Sequence, residues 1–249
     1  MSARNAQGLR ISGKNLGALA RSDCCPRCFW LQHTTDKGLP YQTFPGIFSS
    51  IDAYTKNVVH GWFDRHGILP PWLAGLGEDI TRYRSPPVAA NFQILDEGSG
   101  TLLTGAPDGV FERADGSLLI VDYKTARLTP NQRSMFPVYE TQLNAYAYIA
   151  EQTGYGRVSA LALVYTEPVT DRASLAIDDI QDRGGVDLRF APRIKWVTLD
   201  LATIPPLLVK ARAILEQTVA PAARSDCQDC GRLDALNALL ARRTADEPA

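Results

Sequence analysis

A mixed α/β fold, with a central mixed β-sheet flanked by helices, is what this sequence predicts. Two observations carry the prediction: the hydrophobic period switches between helical spacing and β-rich runs, and these follow in the order αβββαβ and then βα. Length is the third. A chain of 249 residues can bury one sizeable core, so a single elaborated domain over 1–249 is expected, with its core at about 45–218. Apolar residues make up 45% and charged residues 21%, which excludes disorder over most of the chain.

Residues 14–33 read as one amphipathic helix running into CCPRCFWLQH, and GLPYQTFPG follows as a connection. Ile51, Thr55, Val58, Val59, Trp62 and Phe63 recur at helical spacing, so a helix over 51–66 should end at Gly67, with Pro70 and Pro71 beyond. Residues 70–87 predict a loop with short helical pieces. NFQILDE, TLLTGAPDGVFER and SLLIVDYKT are aliphatic and β-branched and are separated by GSG and ADG, the pattern of an antiparallel meander. Leu143, Tyr146, Ala147 and Ala150 place a helix over 137–152 that Gly154 closes. VSALALVYTE and IKWVTLDL read as strands, and Pro205 and Pro206 open a helix over 203–218. The polar stretch 169–192 predicts an exposed loop or lid, and a short helix from Leu233 to Arg242 follows CQDC.

The formal net charge of -1 sets up no basic field over the whole molecule, so nucleic acid would have to be held by a local groove or by metal ions. No apolar run approaches the roughly 20 residues of a membrane span. The start, MSARNAQGLR, lacks the apolar stretch of a secretory signal, so a cytoplasmic protein without membrane contact is expected. Five cysteines in a reducing compartment are not a disulfide framework, which leaves metal ligation or simple burial.

The chemistry-bearing residues cluster in the meander. Asp108 follows Pro107 at or within one strand, and Asp122, Tyr123 and Lys124 end the next. Paired strands lie about 5 Å apart, so the two carboxylates can share one divalent cation, and hard oxygen ligands suit Mg2+ or Mn2+. Asp122 and Lys124, two apart, face the same side of their strand. The ammonium can then position an attacking water or stabilise charge gathering on a phosphate. A surface hairpin with a solvated Asp/Lys pair is the plain alternative for D-x-K alone.

The wider pattern narrows the choice. Gly105-Ala106-Pro107-Asp108, thirteen intervening residues and then Asp122-Tyr123-Lys124 resemble the signature of the PD-(D/E)XK nuclease superfamily. Gln142 and Tyr146, a QxxxY on the following helix, resemble its RecB-type branch, which includes CRISPR-adaptation nucleases and AddB-like subunits. The resemblance implies a restriction-endonuclease-like core with Asp108, Asp122, Lys124, Gln142 and Tyr146 as catalytic residues. It implies a Mg2+ or Mn2+ site at Asp108, Asp122 and the backbone carbonyl of Tyr123. His60 on the preceding helix stands at the position of a further metal ligand. Exonuclease action on single-stranded DNA ends is the expectation, with protein partners of the repair or CRISPR-adaptation kind. A nuclease-fold binding or adaptor subunit is the alternative, and a zinc-stapled interaction protein a third.

Cys25-Pro26-Arg27-Cys28 and Cys227-Gln228-Asp229-Cys230 are two CxxC pairs near opposite ends of the chain, each able to grip a metal from a tight turn. Together they would join segments at about 20–35 and 222–243, tethering the N-terminal helices and the His60 helix. The resemblance implies an iron-sulfur cluster there, with Zn2+ as the alternative. The family's usual arrangement is one cysteine before the core and three after, from which this sequence departs. Cys24 is left as the spare thiol, although a Cys24/Cys28 pairing stays open.

Overall fold

The computed structural model describes residues 9–35, 45–129, 134–171 and 188–245. Among the described residues, eight strands form two sheets. β2 (Ile80–Arg84), β5 (Gly109–Arg113), β6 (Leu118–Lys124), β7 (Val158–Pro168) and β8 (Phe190–Val197) build the main one in the order β2-β5-β6-β7-β8. Its pairings are antiparallel except β6 with β7, which run parallel and are connected through helix α4 (Phe136–Gln152) as a βαβ unit. A small sheet has the order β1-β4-β3, from β1 (Leu9–Ser12), β3 (Gln93–Asp96) and β4 (Thr101–Thr104). This is the mixed α/β architecture that the sequence predicts.

The alternation of side chains along β6 divides the core. Leu118 and Ile120 belong to the apolar layer under α4, while Leu119, Val121 and Tyr123 join Val59 and Phe63 of α3 (Gly46–His66) on the opposite face. Helix α4 is buried nearly all round because it lies between the main sheet and a second layer made of β3, β4 and α1 (Gly13–Gly17). Gly17 permits this approach: a Cβ there would stand 2.4 Å from the carbonyl oxygen of Val138. Helix α5 (Ile204–Leu215) packs beside α4, and Arg212 donates to the carbonyls of Ser99 and Gly100, pinning the β3–β4 turn.

Several expected elements differ. The single helix over 14–33 is broken: α1 passes into a 3-10 turn at Ala18–Ala20, and a separate α2 spans Pro26–Thr34. Pro26 has no N–H to give an interior helical turn and sits instead at the start of α2. The expected loop at 70–87 holds a 3-10 turn, Pro71–Leu76, and also the edge strand β2. The meander is not continuous. TLLTGAPDGVFER divides at Gly105–Pro107, so β4 pairs with β1 and β3 while β5 pairs with β2 and β6. β8 starts at Phe190, inside the stretch expected as a lid; of that stretch, residues 172–187 lie outside the described residues. Helix α6 spans Gln228–Ala245, starting five residues before the expected Leu233. The helices expected at 51–66, 137–152 and 203–218 are all present, α3 ending at the expected Gly67.

Candidate active site

Asp122 and Lys124 occupy the last turnings of β6, on the face covered by α4. Continuing the β5–β6 register one step beyond Gly109 and Val121 sets Asp108 across from Asp122. Asp108 accepts the Tyr123 backbone N–H at Oδ2, 2.9 Å, which holds the PD turn against the strand that carries Asp122. Gly105 allows the chain to reach that turn under α4. A Cβ at this position would meet the Tyr146 ring at 2.6 Å and the Phe92 ring at 3.1 Å.

Asp122 is 2% exposed and is surrounded by partners of both signs. Gln142 Nε2 donates to its Oδ1 at 3.0 Å and to the Tyr146 hydroxyl at 2.7 Å, and Gln142 Oε1 accepts from Lys124 at 3.4 Å. The Lys124 ammonium forms an ion pair with Oδ2 and stands 4.6 Å from the centre of the Tyr139 ring. Apart from that ammonium, Oδ2 is buried with no hydrogen-bond partner. Burial drives the Asp122 carboxyl upward from its ordinary range, Lys124 pulls it back and the nearby Asp108 carboxylate pushes it up again. Burial opposes the Lys124 charge, but Asp122 more than restores it, so the lysine stays an ammonium. Two carboxylates, one of them buried against repulsion and neutralised at Oδ2 only by the Lys124 ammonium, are an arrangement that a hard divalent cation fits.

Sequence reasoning missed a second lysine. Lys56 on α3 lies 2.6 Å from Asp108 Oδ1 and 2.7 Å from Asp52 Oδ2. Burial lowers its pKa, and the Asp108 and Asp52 carboxylates more than compensate. Asp52, Lys56 and His60 recur every four residues, one polar stripe of α3, and that spacing was available in the sequence. His60 is not brought to the carboxylates. Its ring bonds the Tyr83 hydroxyl through Nε2, with ring centres 4.2 Å apart. Burial in this contact lowers its pKa; Asp64 acts in the opposite direction and Lys56 in the same one. Tyr123 contributes its N–H to Asp108, while its phenol is buried in the layer beneath α3.

The expected catalytic residues take different places in this arrangement. Asp108, Asp122 and Lys124 are the charged groups at the centre. The Gln142 amide bonds Asp122 and the Tyr146 hydroxyl, and the Tyr146 ring lies against Gly105, in the turn before Asp108.

Cys25, Cys28, Cys227 and Cys230 converge. Each pair sits at a helix start, the first at α2 and the second at α6. Among the described residues, this is the one group of three or more Cys, His, Asp or Glu close enough to hold an ion. Cys24 lies outside it, partly buried, and burial pushes its thiol up. Burial also acts upward on Cys25, but N–H groups of Arg224 and Cys28 and the neighbouring thiols bring it down to about 7, whereas burial pushes the Cys28 and Cys230 thiols up. Arg27 and Asp234 make a two-pronged ion pair, 2.8 and 3.0 Å, between the same helices.

The sequence profile of the PD-(D/E)XK nuclease superfamily matches residues 52–234, and the chain belongs to that superfamily. The match takes in Asp108, Asp122 and Lys124 together with the second cysteine pair. A solved structure titled "Crystal structure of SSO0001" aligns with a TM-score of 0.36 and 16% identity, covering 88% of this chain and 81% of that one. Comparison with curated proteins returns no match. Among the described residues, no helix is long and apolar enough to cross a membrane.

Proposed function

We propose that this chain is a Mg2+- or Mn2+-dependent deoxyribonuclease acting as an exonuclease on single-stranded DNA ends. The observation that carries the reading is Asp122, buried beside a second carboxylate, Asp108, with only the Lys124 ammonium to neutralise it. Asp108 and Asp122 would hold the ion, with the Tyr123 carbonyl completing the shell. His60 can join as a ligand only by exchanging its Tyr83 partner for the metal. A bound divalent ion polarises the scissile phosphate and supplies an acidified water.

The chain's own groups do the rest. Lys124, charged and held over the Tyr139 ring, would offset negative charge on the substrate phosphate as the phosphorus gains a fifth oxygen. Gln142 keeps Asp122 in one rotamer, and Tyr146 keeps Gln142 in place. Lys56 neutralises Asp108 when no ion is bound and becomes available to a substrate phosphate when one is.

The experiment uses single-stranded DNA, both linear with labelled ends and circular, with added Mg2+, added Mn2+ or neither. Metal-dependent loss of end label with the circle spared supports the proposal. Cleavage of the circle makes the protein an endonuclease. Binding without metal-dependent cleavage of either would replace the reading with the adaptor subunit.

A further inference from the structure

The cysteine tetrad carries information about its occupant in the distances between its sulfur atoms. Cys28 Sγ lies 3.4 Å from both Cys227 Sγ and Cys230 Sγ, Cys25 Sγ lies 3.7 Å from Cys230 Sγ, and all four fall within 4.8 Å of one another. Thiolates about 2.3 Å from a single tetrahedral zinc are separated by the edge of that tetrahedron, roughly 3.8 Å. The observed spread brackets this edge. A cubane places a different iron behind each thiolate, so its sulfurs diverge from the corners of a cage and stand farther apart than the 4.8 Å found here. A two-iron cluster separates its ligands into two pairs. Here Cys28 is as close to one residue of the C-terminal pair as to the other, and Cys230 lies near both Cys25 and Cys28. Sulfurs this near one another leave no space for several irons and their bridging sulfides.

We propose that Cys25, Cys28, Cys227 and Cys230 hold one tetrahedral zinc ion, in place of the iron-sulfur cluster that the family resemblance implies. The surroundings agree with a compact tetrathiolate. Two of the sulfurs belong to buried residues, and the two pairs sit at the starts of α2 and α6, where the helix dipoles offset the negative charge left after zinc is bound. The Arg224 N–H donates to Cys25 Sγ at 3.4 Å. The two-plus-two spacing of ligands, which departs from the one-plus-three that the resemblance implies, is the spacing that a zinc clasp between two short helical turns needs. The ion has no redox chemistry, so the centre is a staple that oxygen does not dismantle.

The test is made on the full chain, produced under strict anaerobiosis in iron-supplemented cells so that a cluster has every opportunity to assemble. The expected result is colourless protein with one zinc per chain and no acid-labile sulfide. Exchange of that zinc for cobalt should give the visible absorption bands of a tetrahedral tetrathiolate. Cys24→Ser should retain the metal, whereas Cys28→Ser should lose it or, if it fails to fold, leave the wild-type metal count as the deciding measurement. Brown protein with stoichiometric iron and sulfide overturns the proposal, and so does metal-free folded protein whose four thiols react freely. None of these readouts depends on DNA cleavage, so failure here leaves the nuclease reading standing.

Discussion

Replacing Asp122 by asparagine should separate stability from function. The carboxyl of Asp122 is raised from 3.8 to about 7, chiefly by burial and further by Asp108. In that interval the folded metal-free protein binds a proton that the unfolded chain has lost, so rising pH destabilises the fold through this group. An asparagine has nothing to titrate. The stability of the wild type relative to Asp122→Asn should therefore fall by up to about 1.4 kcal/mol per pH unit between about pH 4 and 7, a total on the order of a few kcal/mol. Each kcal/mol corresponds to roughly 2–4 °C in Tm at this chain length. The Gln142 amide can turn over to bond the new carboxamide, so the substitution leaves Gln142 a partner. The measurement is denaturant unfolding of both proteins across this range without added Mg2+ or Mn2+; the cysteine centre is common to both and cancels in the difference. Mn2+ should stabilise the wild type and not the variant, and cleavage by the variant should drop by about a hundredfold or more. A difference that stays flat with pH, or a variant that cleaves normally, refutes the account of the site.

Lys124→Ala should lower cleavage on the order of a hundredfold, about 3 kcal/mol, with Mn2+ binding retained in a metal titration, because the ammonium acts on phosphate charge. Lys56→Met removes the cation that occupies Asp108 Oδ1, so Mn2+ should bind roughly threefold to tenfold more tightly, the worth of a partly exposed ion pair of about 1 kcal/mol; calorimetric titration checks this. His60→Ala should raise the Mn2+ needed for half-maximal cleavage, and an unchanged titration would confine His60 to its contact with Tyr83. Gly105→Ala drives a methyl into the Tyr146 ring and should cost about 1–3 kcal/mol in denaturant unfolding.

The central constellation was legible because its residues are close in sequence relative to the period of their elements. Asp122 and Lys124 share a strand face, Gln142 and Tyr146 share a helix face, and a strand and a helix of ordinary length bring the pairs together. The long-range parts were not legible. β1 is four residues whose partner, β4, lies about ninety positions away, and nothing in LRIS announces that pairing. The division of the meander at Gly105–Pro107 follows from Tyr146 lying on the glycine, a contact made by α4 and visible only in three dimensions. Lys56 was within reach through its spacing with Asp52 and His60, but a lysine on a half-exposed helix gives no local sign that a carboxylate awaits it.

The packing around the cysteine centre shows which elements the staple touches among the described residues. Cys28 and Cys227 are 199 positions apart, so one ion closes most of the chain into a loop and removes much of the freedom of the unfolded state. Its mechanical reach is narrower. Helix α2 packs on α5 and α6, and its Phe29 lies in the apolar layer that also holds Leu143 and Tyr146. Helix α3 packs on the far face of the main sheet, where Val59 and Phe63 meet Val121 and Tyr123. Among the described residues, loosening the cysteine centre is therefore felt first by α2, α5 and α4, the side that positions Gln142 over Asp122. The fold thus couples the staple to the orientation of one carboxylate and leaves the other, Asp108, anchored by β6 and α3.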